Sequence, residues 1–199
     1  MRRRRDPVGV VLAGGLGRRI GGSKAIVELC GRPLIAYPLA ALRDCLSEVA
    51  IIAKPDTELP SFPGVTVWIE PATPRHPLVG IVHALGLAGG RPVLACAGDL
   101  PFVTPGLVDR IADTDPAGAP AVVPVCEGLL QPLLAMYLPA AAPLLAPAAE
   151  RGATPLRREV EALHPRILEV ADPEPFFNVN APEDLLHAAA LLDGRISRR

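Results

Sequence analysis

Apolar residues along this chain fall into short uncharged runs that alternate with longer stretches of helical spacing. Val8 to Ala13 is short and β-branched, the pattern of a strand buried on both faces of a parallel sheet. Glu48 to Ala53 (EVAIIA) and Val65 to Ile69 (VTVWI) predict two more strands, separated by the turn formers Lys54-Pro55-Asp56 and Pro60 to Gly64. Pro92 to Ala97 (PVLACA), Pro120 to Val125 (PAVVPV) and Leu133 to Tyr137 (LLAMY) predict three further strands. Between them, Leu34 to Cys45 has helical spacing, with Pro33 suited to a first turn and Pro38 expected to kink the helix or delay its start. Leu78 to Leu87 reads as a helix, Thr104 to Ile111 as a capped helix, and Pro139 to Glu150 and Pro155 to Leu163 as helices covering the sheet. This rhythm predicts an α/β fold, a parallel sheet with crossover helices, uninterrupted by repeats or low-complexity blocks.

The first strand runs into GGLGRRIGGSK, which holds Gly14, Gly15, Gly17, Gly21 and Gly22 together with Arg18, Arg19 and Lys24. Glycines let a loop turn its N–H groups toward an anion without a Cβ in the way. Adding cationic side chains at the same place suits a polyphosphate. The letters do not form a P-loop, because Lys24 follows Ser23 and precedes Ala25. Nor do they form a dinucleotide fingerprint, whose third glycine would fall on Ile20. Gly98-Asp99-Leu100-Pro101 follows the PVLACA strand, so Asp99 falls beyond a carboxyl strand end, on the same sheet edge as the loop. A carboxylate there can hold Mg²⁺ against triphosphate oxygens, or it can cap the next turn.

Composition narrows the class without changing that picture. The chain has 199 residues, half of them hydrophobic, enough for one well-filled core. Its net charge of −1 gives no global footprint for nucleic acid or a membrane surface. The Arg2 to Arg5 run precedes too short an apolar segment for an export signal and reads as a solvated tail. The expected organisation is a basic tail over 1–7, one domain over 8–193 and a basic tail over 194–199. Cys30, Cys45, Cys96 and Cys126 form no metal or CxxC spacing, and reduced, mostly buried thiols in a cytoplasmic protein are expected. Near the C-terminus, FFNVNAPEDL puts Asn178 and Asn180 on one face of a predicted short strand, with Pro182 opening a helix.

LAGGLGRRIGGSK followed by GRPLI resembles the signature loop of the nucleotidyltransferases typified by the molybdenum cofactor guanylyltransferases, roughly LAGGxxxRMGxDK. Leu12, Ala13, Gly14, Gly15, Arg19, Gly21 and Lys24 fall on that pattern; Ile20 replaces Met and Ser23 replaces Asp. CAGDLPFV resembles the family's second motif, in which the aspartate binds the metal. Gln131 to Tyr137 resembles its segment near the acceptor, and FFNVNAPEDL its closing FxNxNTPEDL, with Ala181 for Thr. The resemblance implies a three-layer, Rossmann-like nucleotidyltransferase fold with a mostly parallel central sheet. It also implies transfer of GMP from GTP to the phosphate of molybdenum-bound molybdopterin, with Mg²⁺ as cofactor and transient contact with molybdoenzyme maturation proteins. By the same resemblance the backbone of Leu12, Ala13, Gly14 and Gly15 cradles the nucleotide, Arg19 and Lys24 neutralise phosphates, Asp99 holds the metal, and Asn178 and Asn180 lie near the acceptor.

Glu70, ending VTVWI, stands about where the family places an acid that accepts from guanine N1–H and its exocyclic amine. The amide common at the end of the second strand is Ile52 here, and the glycine before Pro-Leu is His76, read as a surface residue with an acceptor contact as the alternative. A sister cytidylyltransferase or cobamide guanylyltransferase, a non-catalytic nucleotide-binding regulator and a redox Rossmann protein remain alternatives.

Overall fold

The computed structural model describes residues 6–17, 22–152 and 154–196. Arg19 lies outside them, and the basic N-terminal run and the last three residues do so too. Val8–Leu12 forms β1. Two small ribbons follow: β2 (Leu16–Gly17) with β3 (Gly22–Ser23), and β4 (Glu28–Leu29) with β5 (Arg32–Pro33). Then come α1 (Ala36–Arg43), β6 (Val49–Ala53), β7 (Thr66–Ile69), α2 (Pro77–Leu87), β8 (Val93–Ala97) and α3 (Pro105–Asp113). The second half holds β9 (Ala121–Cys126), β10 (Leu129–Leu130), β11 (Leu134–Tyr137), α4 (Ala141–Arg151), α5 (Leu156–Glu161), β12 (Arg166–Glu169) and α6 (Pro182–Ile196).

The large sheet runs β10-β9-β11-β8-β1-β6-β7, with β12 added beside β9. β8, β1, β6 and β7 pair parallel, as does β12 with β9. β11 enters antiparallel between β8 and β9, and β10 closes an antiparallel hairpin on β9. The sheet is therefore mostly parallel, with helices on both faces. Alternation along the strands divides the core: Val11, Ile51, Leu94, Cys96 and Met136 meet Leu39 and Leu42 of α1 and Val108 and Ile111 of α3. Val10, Ile52, Ala95, Val123 and Tyr137 face Leu78 and Ile81 of α2 and Leu145 and Ala148 of α4. A third cluster, with Leu29, Leu34, Phe102, Val179 and Ala188, seats α6 against the β4–β5 ribbon.

Several local expectations meet a competing force. α1 starts at Ala36, so Pro38 lies in its first turn, where no helical N–H partner is needed. Asn178 and Asn180 lie outside any strand: a 3₁₀ turn over Glu174–Phe176 precedes them, and Val179 between them donates to Asp99 O at 3.0 Å. β12 reads RILE, with a charge at each end, which hides an edge strand. Of the cysteines, Cys96 and Cys126 are buried, Cys45 is half-buried and Cys30 is exposed. Among the described residues no helix is long and apolar enough to cross a membrane.

Candidate active site

Strand register brings the chemistry together. Leu12 of β1 lies level with Ile52 of β6 and Ala97 of β8, while Ala53 of β6 lies level with Ile69 of β7. The residues that follow these pairs therefore emerge side by side at one edge: Ala13-Gly14, Lys54, Gly98-Asp99 and Glu70. Backbone bonds continue the ladder past the strand ends, from Ala13 N to Ile52 O at 2.8 Å, Gly98 N to Leu12 O at 3.1 Å and Glu70 N to Ala53 O at 2.9 Å. A cleft of about 440 Å³ opens there, lined by Gly14, Gly15, Lys54, Glu70, His76 and Asp99 among others. It lies beyond the carboxyl ends of parallel strands, where open α/β sheets bind ligands.

Glu70 is 5% exposed and lies under the loop. A Cβ on Gly14 would come within 2.6 Å of Glu70 Oε1, and one on Gly80 of α2 within 3.3 Å of Oε2, so the carboxylate fills the gap between two glycines. Its Oε2 lies 3.4 Å from Lys54 Nζ, an ion contact longer than a good hydrogen bond. That oxygen is buried and has no hydrogen-bond partner among the described residues. Burial pushes the Glu70 carboxyl above its ordinary range, and the neighbouring Lys54 and Arg75 charges oppose the shift. The sequence places Lys54 in a turn with Pro55 and Asp56; the structure buries it. Its ammonium donates to Pro71 O at 2.6 Å and Pro74 O at 2.9 Å, taking the cost out of burying a cation by meeting its protons.

His76 differs from its expected surface role. It caps α2: Nδ1 accepts from Leu78 N at 3.2 Å, so Nε2–H donates to Thr154 O at 2.8 Å. The cap ties the cleft's outer wall to the α4–α5 connection. There Gly152 takes a left-handed φ of 65° and lies so close to Pro74 that a Cβ would come within 2.4 Å of the proline Cβ.

Of the remaining sequence-derived residues, Leu12, Ala13, Gly15 and Asp99 line a small recess contiguous with the main cleft. Lys24 opens a short 3₁₀ turn, and its side chain lies outside the described set. Asn178 lies in a second cleft of about 370 Å³, with Gln131, Arg157 and Phe176, which meets the first at Leu133. Its Oδ1 is buried without a hydrogen-bond partner among the described residues. Asn180 is exposed, and its N–H donates to Asp184 Oδ2 at 2.8 Å at the start of α6. The second cleft thus holds one of the two asparagines. Sequence reasoning missed Lys54 because its partners arrive from β7 and the turn after it, with no local signal.

The model of the MobA-like NTP transferase domain matches residues 9–166. A probable molybdenum cofactor guanylyltransferase of Thermococcus gammatolerans is 34% identical over 188 residues, covering 89% of this chain and 96% of the relative. The molybdenum cofactor guanylyltransferase of Rhodobacter capsulatus is 35% identical over 190 residues, covering 90% and 93%. Among solved structures, molybdopterin-guanine dinucleotide biosynthesis protein A from Archaeoglobus fulgidus superposes with a TM-score of 0.76 at 25% identity, covering 94% of this chain and 99% of that one. The 2-C-methyl-D-erythritol 4-phosphate cytidylyltransferase of Thermus thermophilus superposes with a TM-score of 0.69 at 28% identity, covering 93% and 98%. Since the family match takes in the glycine loop and all four strand ends that build the cleft, this chain belongs to the MobA-like nucleotidyltransferases.

Proposed function

We propose that this protein transfers GMP from GTP to the terminal phosphate of molybdenum-bound molybdopterin, releasing pyrophosphate. The observation that carries the base choice is the Glu70 carboxylate, buried in the cleft wall with its Oε2 beside the Lys54 ammonium and in no hydrogen bond among the described residues. Guanine offers two adjacent donors, N1–H and the 2-amino group, that a carboxylate accepts together. Cytosine and adenine each offer one donor beside an acceptor, which would leave a buried carboxylate oxygen facing a lone pair. The relatives named guanylyltransferases support the same choice.

The backbone from Leu12 to Gly15 would cradle the nucleotide, with Arg19 and Lys24 of the signature loop neutralising its phosphates. Asp99 fits a hard divalent cation such as Mg²⁺, which takes one or two carboxylates and leaves its other positions to phosphate and water. Among the described residues no cluster of three acidic, His or Cys side chains forms a closed cage, and a cation shared with a triphosphate needs none. When bound, Mg²⁺ supplies charge neutralisation to the triphosphate. The acceptor phosphate would lie in the second cleft, between Gln131, Asn178 and Arg157, whose Nε donates to Leu130 O at 3.1 Å. Its oxygen bonds the α-phosphorus in line as the bond to the bridging oxygen of pyrophosphate breaks. The protein contributes position and electrostatic stabilisation, with no covalent intermediate. Cytoplasmic location, and transient contact with proteins that mature molybdoenzymes, accompany this reading.

Calorimetric titration with GTP, CTP, ATP and NADH, with and without Mg²⁺, tests it. Magnesium-dependent binding of GTP in preference to the others is expected. Preference for CTP moves the assignment to a cytidylyltransferase, and NADH binding or no nucleotide binding overturns it.

A further inference from the structure

We propose that Lys54 sets the choice of base at this site by holding Glu70 ionised and aimed, without touching the nucleotide itself. This inference rests on the reading of Glu70 as the acceptor for guanine.

An ammonium has three N–H donors. Two of those of Lys54 go to Pro71 O at 2.6 Å and Pro74 O at 2.9 Å, the ammonium lies 3.4 Å from Glu70 Oε2, and the side chain is 1% exposed. Two carbonyls and one carboxylate of the protein thus surround the ammonium, which is closed off from solvent. Lys54 is therefore a positioning residue. The two carbonyls belong to the turn that leads into His76 and α2, so one cation fixes the carboxylate and the wall beside it.

A buried ion pair is a poor device for stability alone, since apolar residues of similar volume serve as well or better. Its place here makes sense through the proton. A desolvated carboxyl without a counter-ion takes up a proton and becomes one donor and one acceptor, no longer two acceptors. The protonated form pairs with the acceptor–donor edge of adenine or cytosine and clashes with the two donors of guanine. Lys54 stands against that exchange. The other charged or titratable groups lining the cleft are Arg75, itself paired with Asp56, His76, held as a helix cap, and Asp99.

The test compares binding of GTP, of CTP, of ITP, which lacks the 2-amino group, and of ATP to the wild-type chain and to Lys54→Met from pH 5 to 9. The wild type is expected to favour GTP over ITP and ATP by about tenfold or more. In Lys54→Met the GTP preference should collapse to within about threefold near neutrality. The pH at which GTP binding reaches its plateau should move upward, because Glu70 then ionises unaided. A folded Lys54→Met with wild-type selectivity and an unmoved pH profile overturns the role given to Lys54 and leaves the guanine reading standing. Wild-type preference for CTP overturns both. A readout independent of whether the variant folds is the ¹⁵N resonance of the wild-type Lys54 ammonium. It should keep its protection from exchange when GTP binds, and a GTP-induced contact or loss of its bonds to the two carbonyls overturns the proposal.

Discussion

Gly14 and Gly15 are adjacent in sequence and answer differently to the same added methyl group. Gly14 does not have a left-handed φ, so alanine meets no backbone penalty there; the conflict is contact alone. The new Cβ would stand 2.6 Å from Glu70 Oε1 and 3.2 Å from Lys54 Cγ, against nothing within 4 Å at Gly15. Inserting a methyl into a filled space costs about 1–3 kcal/mol. At about 2–4 °C per kcal/mol for a chain of this size, Gly14→Ala should lower Tm by several degrees. Relief comes most readily by displacing the Glu70 carboxylate, and losing charge-assisted acceptance from guanine, about 1.5–3 kcal/mol, raises the Kd for GTP on the order of 10–100-fold. Gly15→Ala should leave Tm within about 1 °C and act only where the nucleotide approaches the loop. Thermal unfolding and GTP and ITP titrations of both variants provide the assay. A Gly14→Ala protein with unchanged Tm and unchanged GTP-over-ITP selectivity would refute the placement of Glu70 beneath the loop.

Asp99→Asn is expected to abolish turnover while the protein stays folded, as judged by circular dichroism beside a pyrophosphate-release assay; full activity would remove Asp99 from the metal role. Lys24→Ala should weaken GTP far more than guanosine in calorimetry, and equal losses would refute its role at the phosphates. Gly152→Ala combines a left-handed φ with a 2.4 Å approach to Pro74, and a loss of about 2–4 kcal/mol in denaturant unfolding is expected. Because the folded-state pKa of Glu70 is raised above its ordinary 4.5, its contribution to stability is complete below that value and is lost as pH rises through the raised one. With Glu70 as the proposed acceptor for guanine, GTP binding should strengthen over that same interval, so Tm and GTP affinity are expected to move in opposite directions. Glu70→Gln should flatten both profiles.

The strand–loop pattern was legible because it is local. β1, β6, β8 and β9 are uncharged runs bounded by turn formers, and the structure moves their ends by a residue or two. Asp99 could be placed beyond a strand end because the PVLACA run stops visibly at Gly98. What escaped the sequence depends on distant partners. Lys54 precedes Pro55-Asp56, a genuine turn signal, and only the Ala53–Ile69 register sets Glu70 against it. The NVN segment alternates like a strand, yet its middle residue bonds to Asp99 O and finds no neighbouring strand, so alternation reflects the burial of Val179 alone. The antiparallel entry of β11 is equally nonlocal, since an uncharged run carries no direction.

The bond from Val179 N to Asp99 O joins two points 80 residues apart in the chain. Through it the segment bearing Asn178 is fastened to the loop bearing Asp99, so the spacing of the two clefts is built into the fold. The clefts themselves share only Leu133 among their lining residues, one being built from β1, β6, β7, β8 and α2, the other from the approach to β11, the start of α5 and the turn before Asn178. On the proposed reading, a scaffold with that division can change what it nucleotidylates by altering residues 155–157 and 176–178 while its nucleotide half stays as it is, which makes the second cleft the natural target for redesign.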